Sequence, residues 1–140
     1  MQAYDLFSKI EVVNALNVTA IGSSTTTVGA TIDTGVSSLP SSLVFAVKSE
    51  TLTDGAYAVQ VFVSDDSGMA GEVQVTKDYD NADTLIDSAI SFALADDNTV
   101  KKVGVVSGKR YARIKIVSTA VTTGGTLSAI AIKGNKRHQS

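Results

Sequence analysis

Histidine is the usual carrier of acid–base and metal chemistry near neutral pH, and this sequence has one, His138, within its last three residues. A lone imidazole at a chain end brings no nucleophile or orienting carboxylate with it, so a nucleophile–histidine triad is not expected. The absence of cysteine removes thiolate zinc sites and disulfides together. Carboxylates are more plentiful. Asp78-Tyr79-Asp80-Asn81-Ala82-Asp83 begins like a calcium loop, but the EF-hand pattern needs an oxygen ligand where Ala82 stands and a glycine where Asp83 stands. Asp65-Asp66-Ser67-Gly68 offers oxygens at a strand end, yet Asp and Gly also build turns for purely local reasons. Glycoside hydrolysis needs two carboxylates across a cleft, and the chain has no tryptophan and only 6% aromatic residues with which to stack sugar rings. Gly22, Gly29 and Gly35 are too far apart for a phosphate or dinucleotide loop. We therefore expect no catalytic residue, no metal ligand and no cofactor, and a protein that works through its surface.

The remaining side chains with chemical potential are cations. All 14 acidic residues lie between Asp5 and Asp97, and Lys101, Lys102, Lys109, Arg110, Arg113, Lys115, Lys133, Lys136 and Arg137 follow with no acid among them. Residues 1–97 carry a formal charge of −11 and residues 98–140 one of +9. Two arrangements satisfy this segregation: acidic and basic strands interleave on one body, or the basic segment forms a contact face for a partner. Nucleic acid is a poor partner, because Tyr111 is the only aromatic among these cations and the net charge is −2. Lys102, Lys109, Arg110, Tyr111, Arg113 and Lys115 are the candidate contacts to another subunit or to a larger assembly.

Those residues need strands to hold them. From Tyr111 the polar side chains Tyr111, Arg113 and Lys115 alternate with Ala112, Ile114 and Ile116, the period of a strand with one wet and one buried face. Val103-Gly104-Val105 precedes them across Ser107-Gly108, which suggests a hairpin pairing Gly104 with Tyr111, Lys102 with Arg113 and Val100 with Lys115. Like charges facing each other across strands cost stability. The expected face is therefore completed by carboxylates, from the chain's own acidic half or from another subunit.

The rest of the chain supports an all-β fold. It is 140 residues long, 44% hydrophobic, with one proline and 11 glycines, enough for one domain with a real core and no room for a second. Strands are expected at Ala30–Ile32, at Leu43–Val47 just after Pro40, at Tyr57–Val63 after the Thr53-Asp54-Gly55 turn, at Glu72–Val75 and at Leu127–Lys133. Tyr57, Val59, Val61 and Val63 share one side of their strand; Phe62 breaks the pattern and suggests that both faces are covered. Residues 78–98 read as a short helix or a loop, with Leu85, Ala89 and Phe92 at helical spacing. Residues 1–9 read as an arm leading into the first strand and 134–140 as a basic tail. The N-terminus lacks the basic and apolar pattern of a signal peptide, and the longest apolar run, Leu43–Val47, is too short to cross a bilayer. About eight strands at short intervals predict a single-domain β-sandwich, jelly-roll-like or Greek key.

Several of these stretches together resemble a family of tailed-phage virion proteins, the head decoration or cement proteins. The resemblance lies in Ala30-Thr31-Ile32-Asp33, Leu43–Val47, Leu52-Thr53-Asp54-Gly55, Val63–Gly68, Val103–Val105, Gly108–Arg113 and Ile130–Gly134 with Arg137-His138. Ala112 stands where a bulkier residue is expected, and Glu72–Ala95 aligns poorly. The resemblance implies a non-enzymatic β-sandwich subunit, commonly a homotrimer, made in the bacterial cytoplasm and seated on the outer capsid surface against the major capsid protein. It implies no membrane. A tail or neck component, or a carbohydrate- or receptor-binding head appendage, is the alternative.

Overall fold

The computed structural model describes residues 10–35, 42–75, 77–79, 85–87, 90–105 and 109–134. Its strands, in chain order, are β1 (Glu11–Ile21), β2 (Thr26–Val28), β3 (Ile32–Asp33), β4 (Ser42–Leu52), β5 (Ala56–Ser64), β6 (Val73–Val75), β7 (Lys77–Tyr79), β8 (Leu85–Asp87), β9 (Ile90–Phe92), β10 (Val100–Val105), β11 (Tyr111–Thr119) and β12 (Gly125–Gly134). Sheet A has the order β1-β12-β4-β10; sheet B has β2-β11-β5-β6, with β3 also pairing β11 and β9 pairing β5. Among the described residues, β7 and β8 pair only with each other. The expected all-β sandwich is what forms, and several of its strands are only two or three residues long.

The core lies between the sheets. Sheet A turns Leu43, Phe45, Val47, Val103, Leu127, Ala129 and Ala131 inward, and sheet B answers with Tyr57, Val59, Val61, Val63, Ala112, Ile114 and Ile116, all buried. The alternation expected over Tyr57–Val63 and Tyr111–Ile116 is present in both strands. Ala112 is buried at a point where β11 runs between Val63 of β5 and Ile32 of β3. Phe62 points outward, half-buried, beneath the ammonium of Lys115, 4.3 Å from the ring centre.

Two expectations are corrected. Val100–Val105 and Tyr111–Val117 do not form a hairpin, because β10 pairs with β4 in sheet A while β11 pairs with β5, β2 and β3 in sheet B. Gly104 lies opposite Val44, Lys102 opposite Ala46 and Arg113 opposite Phe62. The repulsive Lys102–Arg113 pair therefore does not exist. Alternation shows only that each segment has one apolar side; here the two apolar sides meet across the core instead of lying edge to edge. Residues 78–98, expected as helix or loop, supply the end of β7, strands β8 and β9 and a 3-10 turn at Leu94–Asp96. The free edge of β5 overrides the helical spacing by pairing Ala58 with Ser91 and placing Phe92, fully buried, beside Tyr57. The Ser107-Gly108 turn, the 1–9 arm, Pro40, Asp80–Asp83 and the tail beyond Gly134 lie outside the described residues.

Four described connections, β1–β2, β4–β5, β9–β10 and β11–β12, arch from one sheet to the other, and polar groups tie them down. The turn between β4 and β5 and the link between β11 and β12 are joined through Asp54. Its carboxylate accepts the N–H groups of Thr122 (3.1 Å), Thr123 (2.9 Å) and Gly124 (2.8 Å) and the Thr122 hydroxyl. The Tyr57 hydroxyl donates to the Asp54 carbonyl (2.8 Å). Buried Ser49 donates to the Asp96 carbonyl and accepts from the Thr99 N–H (3.0 Å). Buried Ser118 donates to the Ser23 carbonyl (2.8 Å) and accepts from the Thr25 N–H (2.9 Å). Among the described residues no buried side-chain polar atom lacks a partner, as a desolvated polar group requires.

Candidate interaction surfaces

The six candidate contact residues do not form one surface. Lys109, Arg110, Tyr111, Arg113 and Lys115 lie on β11 or immediately before it, on sheet B; Lys102 lies on β10 and faces outward from sheet A. The pleat explains the division. Tyr111, Arg113 and Lys115 point away from the core because Ala112, Ile114 and Ile116 point into it. Lys102 points out because Val103 is buried.

On sheet B the cations already have acidic partners. Glu72, just before β6, accepts from Arg113 (2.9 Å) and from the Lys115 ammonium. The Lys115 hydrogen bond, then the Arg113 guanidinium, holds the Glu72 carboxyl below the usual range against the opposing effect of burial. Arg110 clasps Asp33 with two parallel bonds of 2.9 Å and lies 5.1 Å from the centre of the Tyr111 ring. That clasp lowers the Asp33 carboxyl and raises the Arg110 guanidinium, the bidentate geometry to which arginine is suited. Lys109 pairs with Asp65 (3.0 Å); on sheet A, Lys133 pairs with Glu11 (3.2 Å) and Lys101 with Asp96 (3.4 Å).

Every one of these pairs joins an acid from residues 1–97 to a base from residues 98–140. The charge segregation along the sequence is thus neutralised in space by interleaving, and the carboxylate expected opposite Arg113 comes from the chain's own acidic half.

Of the aspartates weighed for calcium, Asp65 and Asp66 serve an ion pair and the backbone. Asp66 accepts the N–H groups of Gly68 (2.8 Å) and Ala70 (3.2 Å) and shapes the loop after β5; Asp65 pairs with Lys109. Among the described residues no three His, Cys, Asp or Glu side chains come together as a metal site.

The other outward face has a different character. On sheet A the cross-strand rows read Val12, Ile132, Val44, Gly104 and then Asn14, Ile130, Ala46, Lys102. Ser128, Lys48 and Val100 form the next row, and Asn17 and Val18 bulge beside Ser128 where the register of β1 shifts. Val12, Val18, Val100 and Ile130 are 53%, 66%, 60% and 42% exposed. A groove of about 410 Å³ runs across this face, lined among others by Leu16, Val18, Ala46, Lys48, Val100 and Ile130. A contiguous exposed apolar patch on a β-sheet marks a contact surface far better than scattered apolar residues do.

Sequence reasoning missed this face. Its signal was present in β12, where Leu127, Ala129 and Ala131 share one side and Ile130 and Ile132 the other. A strand apolar on both sides has a second surface to cover. No protein-family model and no curated protein matches the chain.

Proposed function

We propose that the protein is a phage virion structural protein, a cement subunit that decorates and stabilises the assembled capsid by binding the major capsid protein across neighbouring capsomers. Support comes from the family resemblance of its strand and turn stretches and, above all, from one structural observation: the apolar outer face of sheet A with its groove. Such a face suits a protein that works by being held against another surface. No reaction is needed. A subunit that binds the finished lattice and not its free components stabilises the lattice by its binding free energy, about 2.7 kcal/mol per site at a hundredfold excess over Kd. A homotrimer engaging equivalent sites adds avidity without new kinds of contact.

The test is reconstitution. Particles lacking the protein should take it up at fixed stoichiometry and disrupt at a higher temperature, and label on the chain should decorate the head in electron micrographs. Label confined to the tail or neck, or retention by host cells or glycans without binding to heads, would overturn the capsid assignment in favour of a tail component or a receptor-binding appendage.

A further inference from the structure

Among the described residues, Lys77 of β7 aside, the lysines and arginines divide into two groups. Lys101, Lys109, Arg110, Arg113, Lys115 and Lys133 each have a carboxylate partner within the chain. Lys48 and Lys102 have no ion pair to any described residue, and both stand on the apolar outer face of sheet A. Lys48 lies opposite Val100, and Lys102 is two residues farther along β10, so the two lysines are diagonal neighbours across the β4–β10 ladder. Diagonal residues in adjacent strands lie within about 7–8 Å. Two like charges are thus set side by side on a largely apolar surface, beside the groove that Lys48 and Val100 help to line.

We propose that the outer face of sheet A is the docking surface, and that its partner is a protein patch of complementary chemistry. That patch presents an apolar side chain to the groove between Val18, Val100 and Ile130, flanked by carboxylates that meet Lys48 and Lys102. The charge pattern selects this occupant. Covering the face with a wholly apolar surface would desolvate two ammonium groups without a counter-ion, which is strongly unfavourable. A second copy meeting this face with its own would bring the same two lysines, and Glu50 is the one acidic residue of β4, so that strand pair would set two carboxylates against four lysines. A nucleic-acid phosphate would satisfy the lysines but leave the valines and isoleucine uncovered. The inference rests on the assignment above that the protein docks on a capsid surface, and it adds the face, the two lysines and the acidic character of the site they meet.

The experiment compares three full-length forms for retention on particles lacking the protein: wild type, the double charge reversal Lys48→Glu with Lys102→Glu, and Arg113→Ala on the opposite sheet. Thermal unfolding confirms that each is folded. Carbodiimide cross-linking of the wild-type complex, which joins amines to touching carboxylates, supplies a second readout. We expect the double reversal to lose at least tenfold in retention, Arg113→Ala to bind within about twofold of wild type, and Lys48 or Lys102 to be cross-linked to an aspartate or glutamate of the capsid protein. The double reversal binding as wild type does would overturn the inference while leaving the capsid assignment intact. So would cross-links from these lysines only to another copy of the chain, with oligomeric state, not retention, changed by the reversal. Wild type failing to bind particles would overturn the capsid assignment and this inference with it.

Discussion

Asp54 joins two connections that are far apart in sequence, and it does so as an anion. Four donors from Thr122, Thr123 and Gly124 converge on its carboxylate, led by the Thr122 hydroxyl, and they hold its pKa down at about 2, below an ordinary value of 3.8. A carboxyl whose folded pKa lies below its unfolded one contributes stability that is fully present above the unfolded value and is lost as pH falls through the folded one. Asp33, Glu72 and Asp96 are shifted the same way. Thermal melts should therefore be nearly flat above about pH 5 and fall steeply from about pH 4 to pH 2. Asp54→Asn should melt at a lower temperature than wild type at pH 7, and the two curves should converge near pH 2. A constant gap across that range would mean that Asp54 acts by packing or turn geometry and not by its charge. Nothing in Thr53-Asp54-Gly55 beyond a turn was legible in the sequence, because its partners are about seventy residues away.

At the scale of elements, the connections between sheets are the most constrained parts. Gly124 has φ +104°, and a Cβ there would overlap the carbonyl oxygen of Ile21 at the end of β1. Gly124→Ala should destabilise the protein by on the order of 2–4 kcal/mol, read as a shift in the denaturant midpoint with an unchanged slope. An effect below about 0.5 kcal/mol would show that the link between β11 and β12 relaxes freely. Strand positions were largely legible: the two-residue period over Tyr57–Val63 and Tyr111–Ile116 identifies strands and names their inner faces. Pairing was not. The same alternation fits a hairpin partner beside β11 or a core partner across from it, and only the long-range registers of β10 with β4 and β11 with β5 decide between them. Candidate cations were legible by type, but Glu72, which neutralises Arg113 and Lys115, lies about forty residues away in a segment with weak strand character.

For the whole molecule, β12 is decisive. It stands between β1 and β4 in sheet A, with Glu11 opposite Lys133 and Ser42 opposite Gly134. The first long strand thus has no ladder partner in sheet A until the last one is present. A chain ending at residue 124 should show no cooperative unfolding transition by circular dichroism. If it did, sheet B with β4 and β10 would be an independent folding unit. Topologies dominated by such distant pairings fold slowly, typically in milliseconds to seconds.

One short linker has a consequence for how copies of this protein can meet. Between β2 and β3 the Gly29 N–H bonds the Ile114 carbonyl of β11 (2.8 Å), and the Ala30 N–H bonds the Ala15 carbonyl of β1 (2.7 Å). Gly29 fits there because a side chain would strike both Ala15 and Ile114. The linker thereby laces the border strand of one sheet to an interior strand of the other, and the register of β1 shifts at the same place. Borders of this kind are poor templates for strand addition. In a concentrated solution this border would resist taking up a strand from another copy, so β1 is not where copies of the chain would zip together.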